Sequence, residues 1–253
     1  MYKVFIDPGH GAKDTGAAGY GVVEKNINLT VSLILRELLV KDGRFEVELS
    51  REMDSLIDIN ARCNLANSWK ADILISKHHN SAAAKSAKGA EVLCSVNGGD
   101  SLRLGKLLIA EYEKIQVLRK SPIVQKRGNR GDYYGMIRQS KAPAVITEFC
   151  FLSNEEDAAK VNTYEKLKKQ AEADYKAILK YFGLQEIKKE EEEIRYKYLE
   201  DIPEGEYQNV IEELINKGLL KGYSGEKEQT EVDLSVDMVR MLVINYRAGI
   251  YSK

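Results

Sequence analysis

The first 182 residues alternate short apolar runs with longer amphipathic segments, and this alternation limits the folds that the chain can adopt. Residues 4–6 form an apolar run that a Pro-Gly turn stops. Residues 26–40 repeat apolar side chains at spacings of three and four, which is typical of a helix. Strands that alternate with helices predict an α/β domain with a mostly parallel sheet and helices on both faces. In such sheets the functional site lies beyond the carboxyl ends of the strands.

The remaining segments of this region continue the same alternation. Residues 154–182 predict one long helix, because Asn154 is a good N-cap and three acidic residues follow it in the first turn. Further helices are predicted at 57–68 and 102–112, and further strands at 45–49, 71–76, 90–96 and 143–147.

The charge balance changes sign along the chain. Residues 1–189 hold 30 of the 38 Lys and Arg residues and 24 of the 39 Asp and Glu residues, whereas residues 190–253 hold 8 and 15. The change predicts two units with different partners, and simple drift of surface charge is the alternative. We predict a main domain at 1–182, a charged linker at 183–198 and a small α-helical module at 199–253.

Several classes of protein are disfavoured by the sequence. The net charge of −1 does not indicate a nucleic-acid partner, and the apolar runs are too short to span a membrane. The first residues lack the basic segment and long apolar core of a signal peptide, which predicts synthesis in a cytoplasm. Three cysteines without a CxxC pair predict buried, reduced thiols and not a disulfide framework or a thiolate metal site.

All three histidines stand beside the ends of predicted strands. His10 follows the first apolar run, and His78 and His79 follow the strand at 71–76. Glu148 follows the strand at 143–147, and Glu24 closes a glycine-rich loop just before the first helix. Because the carboxyl ends of parallel strands meet at one edge of a sheet, we expect these side chains to lie close together.

Two histidines and one carboxylate with an open fourth position are the ligand set of a catalytic zinc ion. A second carboxylate outside the ligand set would then serve as general base. The sequence offers one carboxylate for each of these roles. The alternative for each residue is an ordinary one, since loop histidines are often only hydrogen-bonded and a glutamate at a helix start is often only a cap.

Four segments occur in a characteristic order: IDPGHG at 6–11, EKNINL at 24–29, SKHHN at 76–80 and EFCFLSN at 148–154. They resemble the four signatures of the zinc-dependent N-acetylmuramoyl-L-alanine amidases of the Amidase_3 family, over about residues 1–182. The resemblance implies that His10, Glu24 and His78 bind Zn²⁺ and that Glu148 is the catalytic base. It also implies that the substrate is peptidoglycan, cleaved at the amide between N-acetylmuramic acid and L-alanine.

The resemblance leaves the roles of some residues open. The family usually has a small apolar residue where this chain has His79, so this side chain is interpreted as a support for the site, a substrate contact or a surface residue. Successive strand residues face opposite ways, so His78 and His79 are not expected to point at one metal. Cys150 is predicted as a packed thiol, with a thiolate ligand as the alternative. Asn80 and Arg130 are predicted to position the substrate, with ordinary loop hydrogen bonding as the alternative.

The C-terminal module is predicted to contain two helices, at 206–217 and 235–248, each closed by a glycine. The segments 201–203 and 210–223 resemble an S-layer-homology repeat, which implies binding to a secondary cell-wall polymer. A core of two short helices rarely stands alone, so the module is also predicted to form a homodimer or to pack on the main domain as a plain helical hairpin.

The combination of an amidase, a wall-binding module and no signal peptide resembles a phage endolysin that accumulates in the cytoplasm and is released through a holin. The alternative is an autolysin of the host bacterium. Two other functions remain open at this point: a catalytically inactive cell-wall-binding protein, and a zinc peptidase that cuts stem peptides.

Overall fold

The computed structural model describes residues 1–187, 195–220, 223–224 and 230–247. These residues fall into two compact units, Met1–Ile187 and Lys188–Lys253. Residues 188–194, the middle of the predicted charged linker, lie outside the described part of the chain, and the linker stays a prediction.

The first unit is an α/β domain built around a six-stranded sheet, as predicted. Four neighbouring strands at one side of this sheet run parallel, and the strand that carries Glu148 pairs antiparallel with the next one. The strands of this unit are β1 (Tyr2–Pro8), β2 (Ala18–Gly19), β3 (Val22–Val23), β4 (Phe45–Leu49), β5 (Ile73–Asn80), β6 (Ala90–Leu93), β7 (Leu118–Val124), β8 (Arg127–Gly128), β9 (Gly131–Asp132) and β10 (Ala144–Phe151). The order of strands in the six-stranded sheet is β4-β1-β5-β10-β6-β7.

Helices cover both faces of the sheet. On one face Phe5, Leu74 and Ile146 of the sheet pack against Cys63 and Met136 of two short helices. On the other face three longer helices pack against one another and against the central strands. The helices are α1 (Glu24–Asp42), α2 (Ile59–Trp69), α3 (Gly99–Tyr112), α4 (Gly135–Gln139), α5 (Glu155–Ala158) and α6 (Tyr164–Tyr181).

Two strands are longer than the sequence analysis predicted. We expected β5 to end at Ser76 and its two histidines to lie in a loop, but β5 continues to Asn80. Its pairing with β1 extends to Lys77, and its pairing with β10 extends to Asn80. Glu148 likewise lies within β10 and not after it. Polar residues can occupy these strand positions because the positions lie at the carboxyl edge of the sheet, beside the candidate site.

The single helix predicted at 154–182 is wrong, since α5 and α6 are separate helices. Asn154 caps α5 as expected, because its side chain accepts a hydrogen bond from the amide of Asp157. The backbone of Thr163 is extended at the start of α6, and Val161 is fully buried between the two helices. Asn162 and Thr163 favour turns over helix interiors, since their short polar side chains compete for backbone hydrogen bonds.

The second unit contains the two predicted helices, α7 (Glu206–Asn216) and α8 (Val236–Arg247). It also contains a small antiparallel sheet that the sequence analysis did not predict, with β13 (Thr230–Ser235) between β11 (Arg195–Tyr198) and β12 (Tyr223–Ser224). Its core is formed by buried side chains of both helices and of β13, together with Ile202 directly after a short 3-10 turn (Leu199–Asp201): Ile202, Val210, Ile211, Leu214, Leu234, Val239 and Val243.

Candidate active site

His10 lies in the loop directly after β1, in a left-handed backbone conformation with φ of 61°. This conformation costs roughly 1–2 kcal/mol for a residue with a side chain. The Nδ1 atom of its ring lies 2.9 Å from the Oδ2 atom of Asp14, and its Nε2 atom lies 3.1 Å from the Oε1 atom of Glu24. A carboxylate that accepts from one ring nitrogen leaves the other nitrogen free to bind a metal.

Two buried arginines hold the loop that carries His10. Arg62 donates hydrogen bonds to the carbonyl oxygens of Pro8 and His10, at 2.6 and 2.7 Å, and Arg51 donates to those of Pro8 and Gly9, at 3.0 and 2.9 Å. These contacts satisfy the carbonyls of a strained turn, so the turn has one defined position relative to the sheet.

The charge of Arg62 is balanced by Asp7, the last but one residue of β1. The two side chains are both buried, and Arg62 Nη1 lies 2.7 Å from Asp7 Oδ1. Burial alone would raise the pKa of Asp7, but the Arg62 charge and the hydroxyls of Ser50 and Ser76 hold it below its usual value. Asp7 therefore stays ionised and anchors the base of the site.

Glu24 is the first residue of α1, and its buried carboxylate lies between the two candidate histidine ligands. Its Oε1 atom is 3.1 Å from Nε2 of His10 and 3.0 Å from Nδ1 of His78. Its Oε2 atom accepts a hydrogen bond of 2.7 Å from the amide of Ala17. Burial raises the pKa of Glu24, but the hydrogen bonds and charges of His10 and His78 outweigh burial and lower it strongly.

His78 lies near the end of β5, and its ring packs against the backbone of Gly9. A Cβ atom at Gly9 would lie 2.3 Å from Cε1 and from Nε2 of His78. Gly16 is equally constrained, since its φ is +62° and a Cβ atom there would lie 2.5 Å from the Oε2 atom of Glu24. Glycine suits both positions, because a side chain at either one would displace the His78 ring or the Glu24 carboxylate.

His10, Glu24 and His78 form a group suited to a metal ion. Each offers one ligand atom, and these atoms lie within 4.8 Å of one another. Two imidazoles and a carboxylate are a donor set that zinc favours. The part of the chain that the structure describes contains no second such group of His, Cys, Asp and Glu side chains. The three residues that the sequence analysis selected are thus brought together by the fold.

Glu148 lies beside this group, because it pairs directly with His78 across β10 and β5. Its Oε2 atom is buried and has no hydrogen-bond partner among the described residues. Burial, followed by the charges of Glu24 and Glu91, raises the pKa of Glu148 well above its usual value. A buried carboxylate oxygen without a partner is costly for stability, which is characteristic of a functional position.

A cleft of about 750 Å³ opens over these residues, within the size range of small-molecule sites. His10, His78 and Glu148 are among its polar lining residues. Its lining also includes apolar and aromatic side chains: Leu56, Ile57, Ile59, Leu93, Tyr134, Met136 and Ile146. The cleft can therefore hold an amide group against the polar residues while apolar surface contacts the remainder of a substrate.

His79 is not a surface residue. Its ring is buried on the opposite side of β5, where Nδ1 lies 2.7 Å from Oδ1 of Asn28 and Nε2 lies 3.3 Å from Oε1 of Gln170. Burial lowers the pKa of His79 to about 3, so its ring is neutral. Its backbone amide donates a 3.0 Å hydrogen bond to Oε1 of Glu24. The alternation of side chains in β5 separates it from the cleft, as predicted.

The residue before His78 forms a buried ion pair. Lys77 and Asp174 are fully buried, with Nζ of Lys77 2.6 Å from Oδ2 of Asp174. Tyr112 donates to the other oxygen of Asp174 and lies 3.1 Å from Nζ of Lys77. These three residues join β5 to α6 and α3. Nothing in the local sequence pattern indicated this pairing, because its members lie 35 and 97 positions apart.

The other candidates of the sequence analysis lie outside the cleft. Asn80 donates a 2.8 Å hydrogen bond to Glu91, and Arg130 is exposed at the tip of the hairpin formed by β8 and β9. Neither is among the residues that line the cleft in the described part of the chain, and their role in substrate binding stays a prediction. Cys150 is a buried free thiol, as predicted, and burial raises its pKa well above its usual value.

The sequence of this chain is similar to those of several known N-acetylmuramoyl-L-alanine amidases and of a phage endolysin. Curated relatives include the N-acetylmuramoyl-L-alanine amidase CwlM of Bacillus licheniformis, 30% identical over 73% of this chain and 70% of that protein. The sporulation-specific N-acetylmuramoyl-L-alanine amidase of Bacillus subtilis is 35% identical, and the match spans 64% of this chain and 61% of that protein. The endolysin of Bacillus phage SPP1 is 30% identical over 72% of this chain and 66% of its own length.

Solved structures share the fold of the first unit. The N-acetylmuramoyl-L-alanine amidase of Clostridium difficile 630 has a TM-score of 0.66 at 29% identity, over 72% of this chain and 97% of that one. The catalytic domain of CwlV from Bacillus (Paenibacillus) polymyxa var. colistinus has a TM-score of 0.64 at 27% identity, over 73% of this chain and 100% of that one. Residues 4–180 match the family model described as N-acetylmuramoyl-L-alanine amidase, and this chain therefore belongs to the Amidase_3 family.

Proposed function

We propose that this protein is a zinc-dependent N-acetylmuramoyl-L-alanine amidase, which hydrolyses the amide between N-acetylmuramic acid and L-alanine in bacterial peptidoglycan. The observation that carries the proposal is the placement of one free carboxylate beside a complete ligand group. The ligand atoms of His10, Glu24 and His78 lie within 4.8 Å of one another, and the buried Oε2 of Glu148 next to them has no partner among the described residues.

The proposed zinc ligands are His10, Glu24 and His78. A zinc ion bound there would supply Lewis-acid chemistry, since it polarises a carbonyl group and lowers the pKa of water. The residues fit this role because each is already oriented by its own contact: Asp14 holds the ring of His10, Ala17 holds the carboxylate of Glu24, and Gly9 leaves space for the ring of His78. A site held in place before binding loses less entropy when it binds.

Glu148 is the proposed general base. Its free oxygen would accept a proton from the attacking water and later donate that proton to the nitrogen of the departing L-alanine. A raised pKa suits both steps, because the carboxylate then accepts a proton readily and can still release it to an amine.

The test combines metal analysis with the identity of the products. We expect the purified protein to bind one zinc ion, His78→Ala to lose it, and Glu148→Ala to keep it without hydrolysing the substrate. Mass spectrometry of digested peptidoglycan should show intact peptides that begin with L-alanine and glycan without peptide. A stem-peptide peptidase would leave L-alanine on the glycan. Absence of both zinc and cleavage on every wall tested would instead support the inactive wall-binding function.

The proposed setting is lysis of the bacterial cell wall by a phage endolysin that is made in the cytoplasm and released through a holin. The 30% identity to a phage endolysin supports this setting, and the bacterial relatives support a host autolysin as the alternative. Every helix in the described residues is too short or too polar to span a bilayer. Expression of the chain in a bacterium with and without a holin tests the setting, since an endolysin lyses the cells only when the holin is present.

For the second unit we propose binding to a secondary cell-wall polymer, in line with the resemblance of residues 201–223 to an S-layer-homology repeat. The full-length Glu148→Gln variant should sediment with intact walls and lose this binding after the secondary polymers are extracted chemically. If binding is unchanged by the extraction, the unit does not recognise that polymer. Sedimentation velocity of the same variant then tests the alternative role of this unit in a homodimer.

A further inference from the structure

The side chain of His79 has no place in the proposed chemistry, yet it is buried against the candidate metal site. It is 2% exposed, and its two hydrogen-bonding neighbours, Asn28 and Gln170, are fully buried. Buried polar groups of this kind are retained only when each has a partner, because an unpaired one costs about 1–3 kcal/mol. The partners of His79 therefore indicate what the residue does.

Asn28 connects His79 to Glu24. Its Nδ2 atom donates to Oε1 of Glu24 at 3.3 Å and to the carbonyl of Gly9 at 3.4 Å. Both acceptors lack protons, so the nitrogen of the Asn28 amide must face them, and its oxygen must face His79 at 2.7 Å. An amide oxygen only accepts hydrogen bonds, so Nδ1 of His79 carries the proton and donates it.

With the proton on Nδ1, the other ring nitrogen of His79, Nε2, must accept a hydrogen bond. Nε2 of His79 faces the amide group of Gln170, whose own Nε2 is buried without a partner among the described residues. A half-turn of this amide brings its nitrogen toward the ring, where it donates to Nε2. The hydrogen bonds then run in one direction from Gln170 through His79 and Asn28 to Glu24.

We propose that His79 is a positioning residue for the metal ligand Glu24 and acts through the amide of Asn28. Without the donor at Nδ1, the amide of Asn28 is free to turn. Its oxygen would then face the carboxylate of Glu24, and two acceptors would oppose each other. The backbone amide of His79 also donates to Oε1 of Glu24, so the strand and the side chain hold the same oxygen. This inference rests on the proposed zinc site and adds the residue that orients its carboxylate.

The test compares zinc affinity among variants of the full-length protein, measured by competition with a chelator. His79→Leu keeps a similar volume but removes the donor. His79→Asn keeps an amide N–H close to the position of Nδ1. Loss of a residue that orients a ligand typically weakens metal binding by about 10–100-fold. We expect a loss in this range for His79→Leu, recovery of most of it in His79→Asn, and no change in Thr30→Val. Thr30 is buried in α1, the helix that carries Asn28, and its hydroxyl donates to the carbonyl of Asn26 in the same helix.

A double-mutant cycle separates positioning from packing. If His79 acts through Asn28, His79→Leu should weaken zinc binding in the wild type and have no further effect in the Asn28→Ala background. Additive losses would overturn the proposal. So would equal losses in His79→Leu and His79→Asn, or wild-type affinity in His79→Leu. The thermal unfolding midpoints of the metal-free variants show whether a loss follows from a destabilised fold.

NMR of the metal-free protein gives a readout that does not depend on zinc. We expect the ring of His79 to carry its proton on Nδ1, and the side-chain amide of Asn28 to change its shift and exchange rate in His79→Leu. A proton on Nε2 alone, or an unchanged Asn28 amide, would overturn the inference. If the wild type binds no zinc while these signals are as expected, the proposed function fails and the hydrogen-bond path to Glu24 stands.

Discussion

Glu148 and Glu91 are directly opposed across the antiparallel pair formed by β10 and β6. Like charges in this position are destabilising. Asn80 donates to Oε1 of Glu91 at 2.8 Å, and Nε of Arg119 lies 3.4 Å from its Oε2, whereas Oε2 of Glu148 has no partner among the described residues. The pKa of Glu148, the proposed base, is accordingly raised by its burial, then by the charge of Glu24 and then by the charge of Glu91.

The first prediction concerns the pH dependence of the reaction. The proposed base is the ionised form of Glu148, so activity should fall as the pH drops through the pKa of this carboxyl. Glu91→Gln removes a like charge that raises this pKa. The acidic limb of the kcat/KM profile should therefore move to lower pH. Glu46→Gln, at a partly exposed pair with Lys3 at the far edge of the sheet, should leave the limb in place. An unchanged limb in Glu91→Gln would exclude this coupling.

The second prediction separates the two carboxylates of the site. Glu148→Gln removes the proposed base but keeps the shape of the side chain, so we expect kcat to fall by about 10²–10⁴-fold with zinc retained. Glu24→Gln removes a proposed zinc ligand and should lose zinc together with activity. Metal content and turnover are measured on the same preparations. Equal zinc loss in both variants would show that Glu148 belongs to the ligand set.

The third prediction concerns the backbone beneath His78. Gly9→Ala places a methyl group 2.3 Å from the ring of His78, so the ring must move and zinc binding should weaken markedly. Gly128→Ala is the matched control, because its added Cβ comes no closer than 3.2 Å to Tyr133. Isothermal titration with zinc compares the two. Wild-type affinity in Gly9→Ala would mean that the ring of His78 does not need its present position.

The fourth prediction concerns stability. Asp7→Asn leaves the buried charge of Arg62 unpaired, which should lower the free energy of unfolding by about 3–5 kcal/mol at neutral pH. Asp100→Asn, in an exposed pair with Arg103, should cost less than about 1 kcal/mol. Urea unfolding of both variants at pH 7 measures the difference.

The contribution of Asp7 should also depend on pH. Its pKa is lower in the folded chain than in the unfolded one, so the stabilisation is complete above the unfolded value of about 3.9. It is lost as the pH falls through the lower folded value. The difference between wild type and Asp7→Asn should therefore shrink only below about pH 4. A difference that already shrinks between pH 7 and 5 would contradict the low pKa.

The sequence predicted the parts of the site that depend on strand ends. His10, His78 and Glu148 could be grouped because each stands at the carboxyl edge of a strand, where the fold brings such residues together. The partners of His79 and Lys77 could not be predicted in this way. They come from α1, α3 and α6, and no short-range periodicity relates a residue of β5 to a helix that lies about 90 positions later.

The ends of several strands and helices were also not predicted by the pattern of apolar and polar residues in the sequence. β5 and β10 extend through polar residues because neighbouring strands continue to hydrogen-bond to them. The break between α5 and α6 follows from Asn162 and Thr163, in a segment whose charged residues otherwise suit a helix throughout. β7 was not predicted because its exposed side chains, Lys120 and Ser121 among them, hide the alternation expected of a strand.

The buried ion pair of Lys77 and Asp174 has a consequence for how β5 is aligned during folding. Lys77, His78 and His79 face alternate sides of the sheet, so a shift of β5 by one position would exchange their sides. The ring of His78 would then face the helices, and the ammonium group of Lys77 would face the cleft. Any such misaligned sheet leaves Asp174 buried without its cation, which is strongly unfavourable. The pair thus disfavours the shifted register and keeps the ring of His78 on the side of the sheet that faces the cleft.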